Sequence, residues 1–206
     1  MSDNPHQQGE WLVQRIGKVT ASNAWKVCDY TKAGKPSAAR QAYLMEIVTQ
    51  RLTGQQTPTF VNAAMQWGID QEGFARDAYE ARTGNRVQLV GFIPHPTLEY
   101  VGASPDGLVG FDGAVEFKCP NSSTHLEYIK NGMPDNYIAQ VQFQMWCCGT
   151  QWTDLVSYDP RLPGHLSMYI QRVPRDAQFI ADLEAEVLKF LNEVSETIAK
   201  IEERMK

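Results

Sequence analysis

The alternation of apolar and polar positions changes character twice along the chain. It predicts helices over 38–52 and 61–82, the second closed by the stop signal Thr83-Gly84-Asn85. Between 87 and 119 the period shortens, and 87–93, 99–103, 107–110 and 114–119 read as strands, the last two joined around an Asp112-Gly113 turn. A helix over 136–148 follows, then strands near 152–158 and 166–173. The chain ends in one long helix whose continuous apolar stripe is Ile180, Leu183, Val187, Leu191, Val194, Ile198, Ile201 and Met205. Near the start, a polar arm covers 1–10, and Ser22 in Thr20-Ala21-Ser22-Asn23 is placed to cap a helix reaching about Cys28.

Helices, then strands, then helices imply an α/β fold with a central mixed β-sheet flanked by α-helices. No repeat, low-complexity stretch or long linker divides the chain. Its 206 residues suit one domain, 1–206, with the arm at 1–10 and the long helix at 176–206. With 43% hydrophobic and 21% charged residues, the disordered, collagen-like and coiled-coil classes fall away. No membrane-spanning run and no signal peptide are visible, so a cytoplasmic location is expected. Cys28, Cys119, Cys147 and Cys148 form no CxxC pair, which argues for reduced thiols over a zinc or iron–sulfur site.

A net charge of −5 argues against nucleic acid as a partner until its distribution is considered. The segment 176–206 carries eight acidic and four basic residues, and the first 175 residues carry 16 and 15. A nearly neutral body can line an inner channel with cations while an acidic exterior discourages stray binding.

The stretch from Ala103 to Pro120 carries the chemistry. Asp106 and Glu116 are equidistant from Phe111 at the tip of the expected hairpin, so they oppose each other on one face with Cβ atoms about 5 Å apart. Lys118 shares that face, while Val115 and Phe117 point the other way into a core. Opposed carboxylates repel unless a cation sits between them or one keeps its proton. Mg²⁺ fits such a pair, with the backbone carbonyl of Phe117 as a further oxygen ligand and Mn²⁺ as a substitute. Lys118 would orient or deprotonate a water, with a pKa depressed by the neighbouring ion; alternatively it only neutralises the acidic pair.

The residues stand as SPDG…VEFKCP, which resembles the signature of the lambda exonuclease and YqaJ-like viral recombinase family, within the PD-(D/E)XK nucleases of restriction-endonuclease-like core. Three more segments resemble that family in the same order: Arg15-Ile16-Gly17-Lys18-Val19-Thr20-Ala21-Ser22, Trp67-Gly68-Ile69-Asp70-Gln71-Glu72 and Tyr137-Ile138-Ala139-Gln140-Val141-Gln142. Tyr158-Asp159-Pro160-Arg161 extends the likeness. The resemblance implies a Mg²⁺-dependent 5′-to-3′ exonuclease that digests one strand of linear duplex DNA. It also implies a preference for 5′-phosphate ends, a homotrimeric ring, a single-strand annealing protein as partner, and a bacterial or prophage setting. Asp106, Glu116 and the Phe117 carbonyl would bind metal, Lys118 would serve the water, and Glu72 would hold a second ion or its water. Arg15, Ser22 and Ser104 would bind the terminal phosphate, and Tyr137 and Gln140 would line the active site.

Several assignments have a plainer alternative. Glu72 would be a solvated helix charge, Ser22 a helix cap and Arg15 a surface cation. Gln144 extends the polar face of Tyr137 and Gln140, while Ile138, Val141, Met145, Phe143 and Trp146 would be core. Lys32, Lys35 and Arg40 either touch phosphates or belong to a solvated loop. A PD-(D/E)XK endonuclease and an inactive DNA-end-binding protein are the rival functions.

Overall fold

The computed structural model describes residues 9–58 and 61–206, and most of the polar arm expected over 1–10 lies outside them. Seven helices and eight strands follow one another among the described residues: α1 (Gly9–Arg15), β1 (Val19–Thr20), α2 (Ala24–Val27), α3 (Ala38–Thr53), α4 (Ala63–Thr83), β2 (Val87–Gln88), β3 (Ile93–Pro94), β4 (Val101–Ala103), β5 (Gly107–Val109), β6 (Gly113–Lys118), α5 (Ser122–Asn131), α6 (Asp135–Cys148), β7 (Trp152–Tyr158), β8 (Met168–Pro174) and α7 (Ala177–Arg204). β2, β5, β6, β7 and β8 form a five-stranded mixed sheet in that order, with β6 and β7 parallel and the other pairs antiparallel. A small second sheet, β1-β4-β3, stands beside it.

The expected strand over 87–93 is divided: its start pairs with β5 and its end with β4, so the chain crosses between sheets within it. The helix expected behind Ser22 is a tight 3-10 turn, Ala21–Asn23, followed by the short α2, and Ser22 does not cap it. Two helices were not anticipated. α1 begins already at Gly9, and α5 is capped by the Asn121 side chain, which accepts from the Thr124 N–H at 2.9 Å. Polar Asn121-Ser122-Ser123-Thr124 reads equally as loop or as helix start, and the Gly132 stop is the signal that separates the two.

The large sheet is covered on both faces. On one, Ala75 and Tyr79 of α4 pack with Val109, Val115, Phe117, Val156 and Met168. On the other, Val141 and Met145 of α6 meet Leu155 and Val173. The far side of α6, through Phe143 and Trp146, joins α2, α3 and the stripe of α7 at Ile180, Leu183, Val187, Phe190 and Val194. Alternation along β6 therefore sends Val115 and Phe117 under α4 and turns Glu116 towards α6.

Arg40 belongs neither to a solvated loop nor to a DNA surface. Its side chain is 0% exposed, donates to both carboxylate oxygens of Glu193 on α7 at 2.6 and 3.0 Å, and reaches the Val27 carbonyl at 2.9 Å. Arg40→Ala is expected to lower the unfolding free energy by about 3 kcal/mol, the low end for a broken buried pair because Glu193 keeps some access to water. The midpoint of denaturant unfolding measures the change. Lys32 and Lys35 are exposed on the loop before α3.

Candidate active site

The β5–β6 ladder pairs Gly107 with Val115, Leu108 with Ala114 and Val109 with Gly113, a register centred on Phe111. Continued one step past the start of β5, it sets Asp106 opposite Glu116. Asp106 Oδ2 accepts the Phe117 backbone N–H at 2.6 Å. Because the N–H and C=O of one strand residue point to the same side, the Phe117 carbonyl faces the same edge, beyond the end of β5.

Glu116 is buried, 4% exposed, and its carboxylate is held from several directions. Gln140 Nε2 donates to Oε1 at 2.5 Å, Gln144 Nε2 donates to Oε2 at 2.6 Å, and Lys118 Nζ donates to Oε1 at 2.7 Å. Lys118 also donates to Gln140 Oε1 at 3.1 Å and lies 4.6 Å from the centre of the Tyr137 ring. Gln140 thus bridges acid and amine, and Gln144, one turn further along α6, holds the other oxygen. Gln144 is the site residue that the sequence reading placed on the right face without a role.

Burial raises the Asp106 carboxyl well above the usual carboxylate range, and the charges of Glu116 and then Glu72 add to it. Lys118 and the Phe117 N–H oppose the shift without cancelling it. Glu72 on α4 is therefore within electrostatic reach of the β6 pair. Burial works against the charge of Lys118, but Glu116 and Asp106 outweigh it and hold the amine above its ordinary range. The depressed value expected from the sequence supposes a neighbouring ion; the two acids by themselves act in the opposite direction. The amine is thereby set as a charged donor to Glu116 and Gln140.

The donor set suits a hard cation: two carboxylates and a backbone carbonyl, all oxygen, at the open edge of a strand. No group of three His, Cys, Asp or Glu side chains forms a closed cage among the described residues. Mg²⁺ needs none, since it is bound through one or two carboxylates and completes its shell with waters and substrate phosphate.

A cationic pocket adjoins this edge. Arg15 Nη1 donates to Ser104 Oγ at 3.1 Å, and its Nη2 lies 3.4 Å from the hydroxyls of Thr20 and Ser22. Trp11 stacks on the guanidinium, 4.4 Å from ring centre to Cζ, and donates from Nε1 to Ser104 Oγ at 2.8 Å. Arg15, Ser22 and Ser104 are thus brought together, two residues ahead of Asp106 in the case of Ser104. The hydrogen-bond partners of the half-buried Arg15 are neutral hydroxyls, with the charge of Glu116 also acting on it, and Lys18, Lys26 and Glu46 line the same cavity of about 700 Å³. Trp11 and Thr20 were not singled out in the sequence.

Arg15 is carried there by a left-handed turn at Gly17, φ +69°, where a Cβ would lie 2.8 Å from Arg51 Cγ. Gln50 Oε1 accepts the Gly17 N–H at 2.8 Å and Arg51 Nε donates to its carbonyl at 3.0 Å, so the end of α3 fixes both backbone groups.

Comparisons with known proteins agree with this architecture. The crystal structure of an alkaline exonuclease (LHK-Exo) from Laribacter hongkongensis shares 47% identity, with a TM-score of 0.88 over 96% of this chain and 98% of that one. The complex of LHK-Exo with dAMP gives 0.89 at the same identity and coverage. A phage-related exonuclease from Haemophilus somnus 129PT has the same fold, with a TM-score of 0.67 at 16% identity over 89% of this chain and 96% of that one. No curated protein sequence matches the chain. The profile of the YqaJ-like viral recombinase domain matches residues 10–151, which include Arg15, Glu72, Ser104, Asp106, Glu116, Lys118 and Gln140. The chain belongs to the YqaJ-like viral recombinase family.

Proposed function

We propose that the chain is a Mg²⁺-dependent exonuclease that digests one strand of linear duplex DNA from its 5′ end, leaving a 3′ single strand for recombination by annealing. The observation that carries this reading is the convergence of Asp106, Glu116 and Lys118 at one strand edge, beside an arginine whose hydrogen-bond partners are all neutral hydroxyls. A half-buried guanidinium so placed is suited to a terminal phosphate, which it can grip with a planar fork of donors. Membership of the YqaJ-like viral recombinase family and 47% identity to an alkaline exonuclease support the reaction class.

Asp106, Glu116 and the Phe117 carbonyl hold the principal ion, and Glu72 serves a second. A metal bound there would supply stabilisation of charge on the scissile phosphate and a more acidic water. Lys118 aligns that water. Gln140 and Gln144 keep the Glu116 carboxylate aimed at the edge, so Gln140 acts through Glu116 and Lys118 in addition to lining the cleft. Residues 1–206 work as one exonuclease domain, three copies form a ring around DNA, and a single-strand annealing protein receives the product; the family resemblance supports these assignments. No helix among the described residues is long and apolar enough to cross a membrane.

Linear duplexes labelled at either end, with Mg²⁺ or EDTA, test the reading. Loss of 5′ label first, only with Mg²⁺, is expected; cuts within a closed circle would replace it with the endonuclease reading. In the same assay Arg15→Ala should reduce the preference for 5′-phosphate over 5′-hydroxyl ends by about 10- to 100-fold, the worth of a hydrogen bond to a charged group. An unchanged preference would remove Arg15 from phosphate recognition.

A further inference from the structure

Three segments singled out in the sequence meet at a residue that the reaction above does not use. Arg161 follows β7, and its guanidinium lies over the indole of Trp67 on α4, 4.4 Å from Cζ to ring centre. Its Nη2 donates to the carbonyl of Pro120, two residues beyond Lys118, at 3.2 Å. The fork itself is held by Asp159: Nε donates to Oδ1 at 2.7 Å, Nη2 to Oδ2 at 3.0 Å, and the Arg161 backbone N–H to Oδ1 at 3.0 Å.

The Asp159 side chain is 0% exposed, while that of Arg161 is 45% exposed. Only the arginine side of this pair is open to water, and the geometry of its fork is the feature to explain. The Trp67 indole N–H is buried without an acceptor among the described residues, which leaves the stack on Arg161 as the polar tie of that ring. Trp67 is five residues before Glu72 on the same helix, about 7.5 Å along its axis. On the other side of the clasp, Cys119 lies between Lys118 and Pro120 and feels the charges of Asp106, Glu72 and Asp159 together. The clasp therefore adjoins the place where α4 and β6 bring their carboxylates together, and it joins those two elements.

We propose that Arg161 is a positioning residue for the metal-binding carboxylates: by tying Trp67 to the Pro120 carbonyl, it fixes Glu72 of α4 against Asp106, Glu116 and Lys118. This rests on the metal-dependent reading of the site. Side chains from separate elements must be held within about 0.5 Å to bind a metal well. Only a planar cation can stack on an indole, engage a carboxylate with two donors and reach a carbonyl at once, so lysine cannot replace it.

Calorimetric titration of the intact protein with Mn²⁺ tests the inference. Arg161→Ala and Arg161→Lys should each weaken Mn²⁺ binding about 10- to 100-fold, as removal of a supporting residue around a metal does. Circular dichroism should show a native fold, DNA affinity in EDTA should be unchanged, and cleavage should recover as Mg²⁺ is raised. Trp67→Phe keeps a ring face and should bind the ion nearly normally, whereas Trp67→Leu should behave like Arg161→Ala. If Arg161→Ala fails to fold, Arg161→Lys carries the test.

Wild-type Mn²⁺ affinity in the folded Arg161 variants would overturn the inference, as would a loss confined to DNA affinity in EDTA, which would make Arg161 a substrate contact. Glu116→Gln separates the two levels. If it loses the ion while the Arg161 variants keep it, the clasp alone is wrong; if the wild-type protein binds no ion, the metal-dependent reading falls and the clasp with it.

Discussion

Glu116→Gln is expected to keep the fold and lose cleavage of linear duplex DNA, by more than about 10³-fold at saturating Mg²⁺, while Lys118→Ala slows it by about 10²- to 10⁴-fold, the usual worth of a group that handles the attacking water. The glutamine is the sharper variant. Alanine at 116 would strand the amides of Gln140 and Gln144, which now donate to Glu116 at 2.5 and 2.6 Å, and each buried donor left without an acceptor costs about 1–3 kcal/mol. An inactive Glu116→Ala would therefore mix chemistry with misfolding. Glutamine keeps the shape and one acceptor oxygen but removes the charge that attracts both a cation and the Lys118 amine. Single-turnover cleavage of 5′-labelled duplex, alongside thermal melting of the same samples, measures the two effects separately. A folded Glu116→Gln retaining a tenth of the wild-type rate would take this carboxylate out of the reaction.

What was legible in the sequence is what local symmetry and short periods encode. Asp106 and Glu116 flank Phe111 at equal distances, and a hairpin makes that arithmetic into geometry, so the register of β5 and β6 followed from spacing alone. The side-chain alternation that puts Val115 and Phe117 in the core follows from the same rule. The helical period of α6 likewise gave Gln140 and Gln144 one face and Val141 and Met145 another. What local rules do not contain is which surfaces meet. Nothing near Arg40 announces a partner 153 positions away on α7, and a basic residue after a Lys-containing loop reads as solvated. The division of 87–93 between two sheets depends on where β4 and β5 lie, which is decided by packing on α6 and α4. Ser22 looked like a cap because Ser before a helix usually is one; the turn leaving β1 is too tight for that, and its hydroxyl instead lies 3.4 Å from Arg15. The family resemblance named Arg15, Ser22 and Ser104 together, whereas their physical reason for meeting, the turn at Gly17 gripped by Gln50 and Arg51, is visible only in three dimensions.

Asp106→Asn is expected to move activity and stability in opposite directions. Burial and the charges of Glu116 and Glu72 raise the Asp106 carboxyl well above its ordinary value of 3.8, so the folded chain binds this proton more tightly than the unfolded chain does. The stability gained from that proton is complete below the unfolded value and is lost as pH rises through the folded one. At higher pH the fold is destabilised, because the charged form of Asp106 is disfavoured by burial and by Glu116 and Glu72 unless a cation compensates. Asparagine keeps an oxygen for the Phe117 N–H, now bonded to Asp106 at 2.6 Å, and removes the repulsion. In EDTA at pH 8 the variant should therefore melt about 3 °C or more above the wild-type protein, a gap that closes towards pH 4. Adding Mg²⁺ should raise the wild-type melting temperature, more strongly at higher pH because the ion and the proton compete for one carboxylate, and should leave the variant nearly unmoved. Cleavage by the variant should fall by more than about 10³-fold, since the ion that acidifies the attacking water loses a ligand. If melting curves of the two proteins in EDTA run parallel from pH 4 to pH 8, Asp106 does not carry the raised affinity for its proton, and the crowding of acids at the end of β6 has been relieved in some other way.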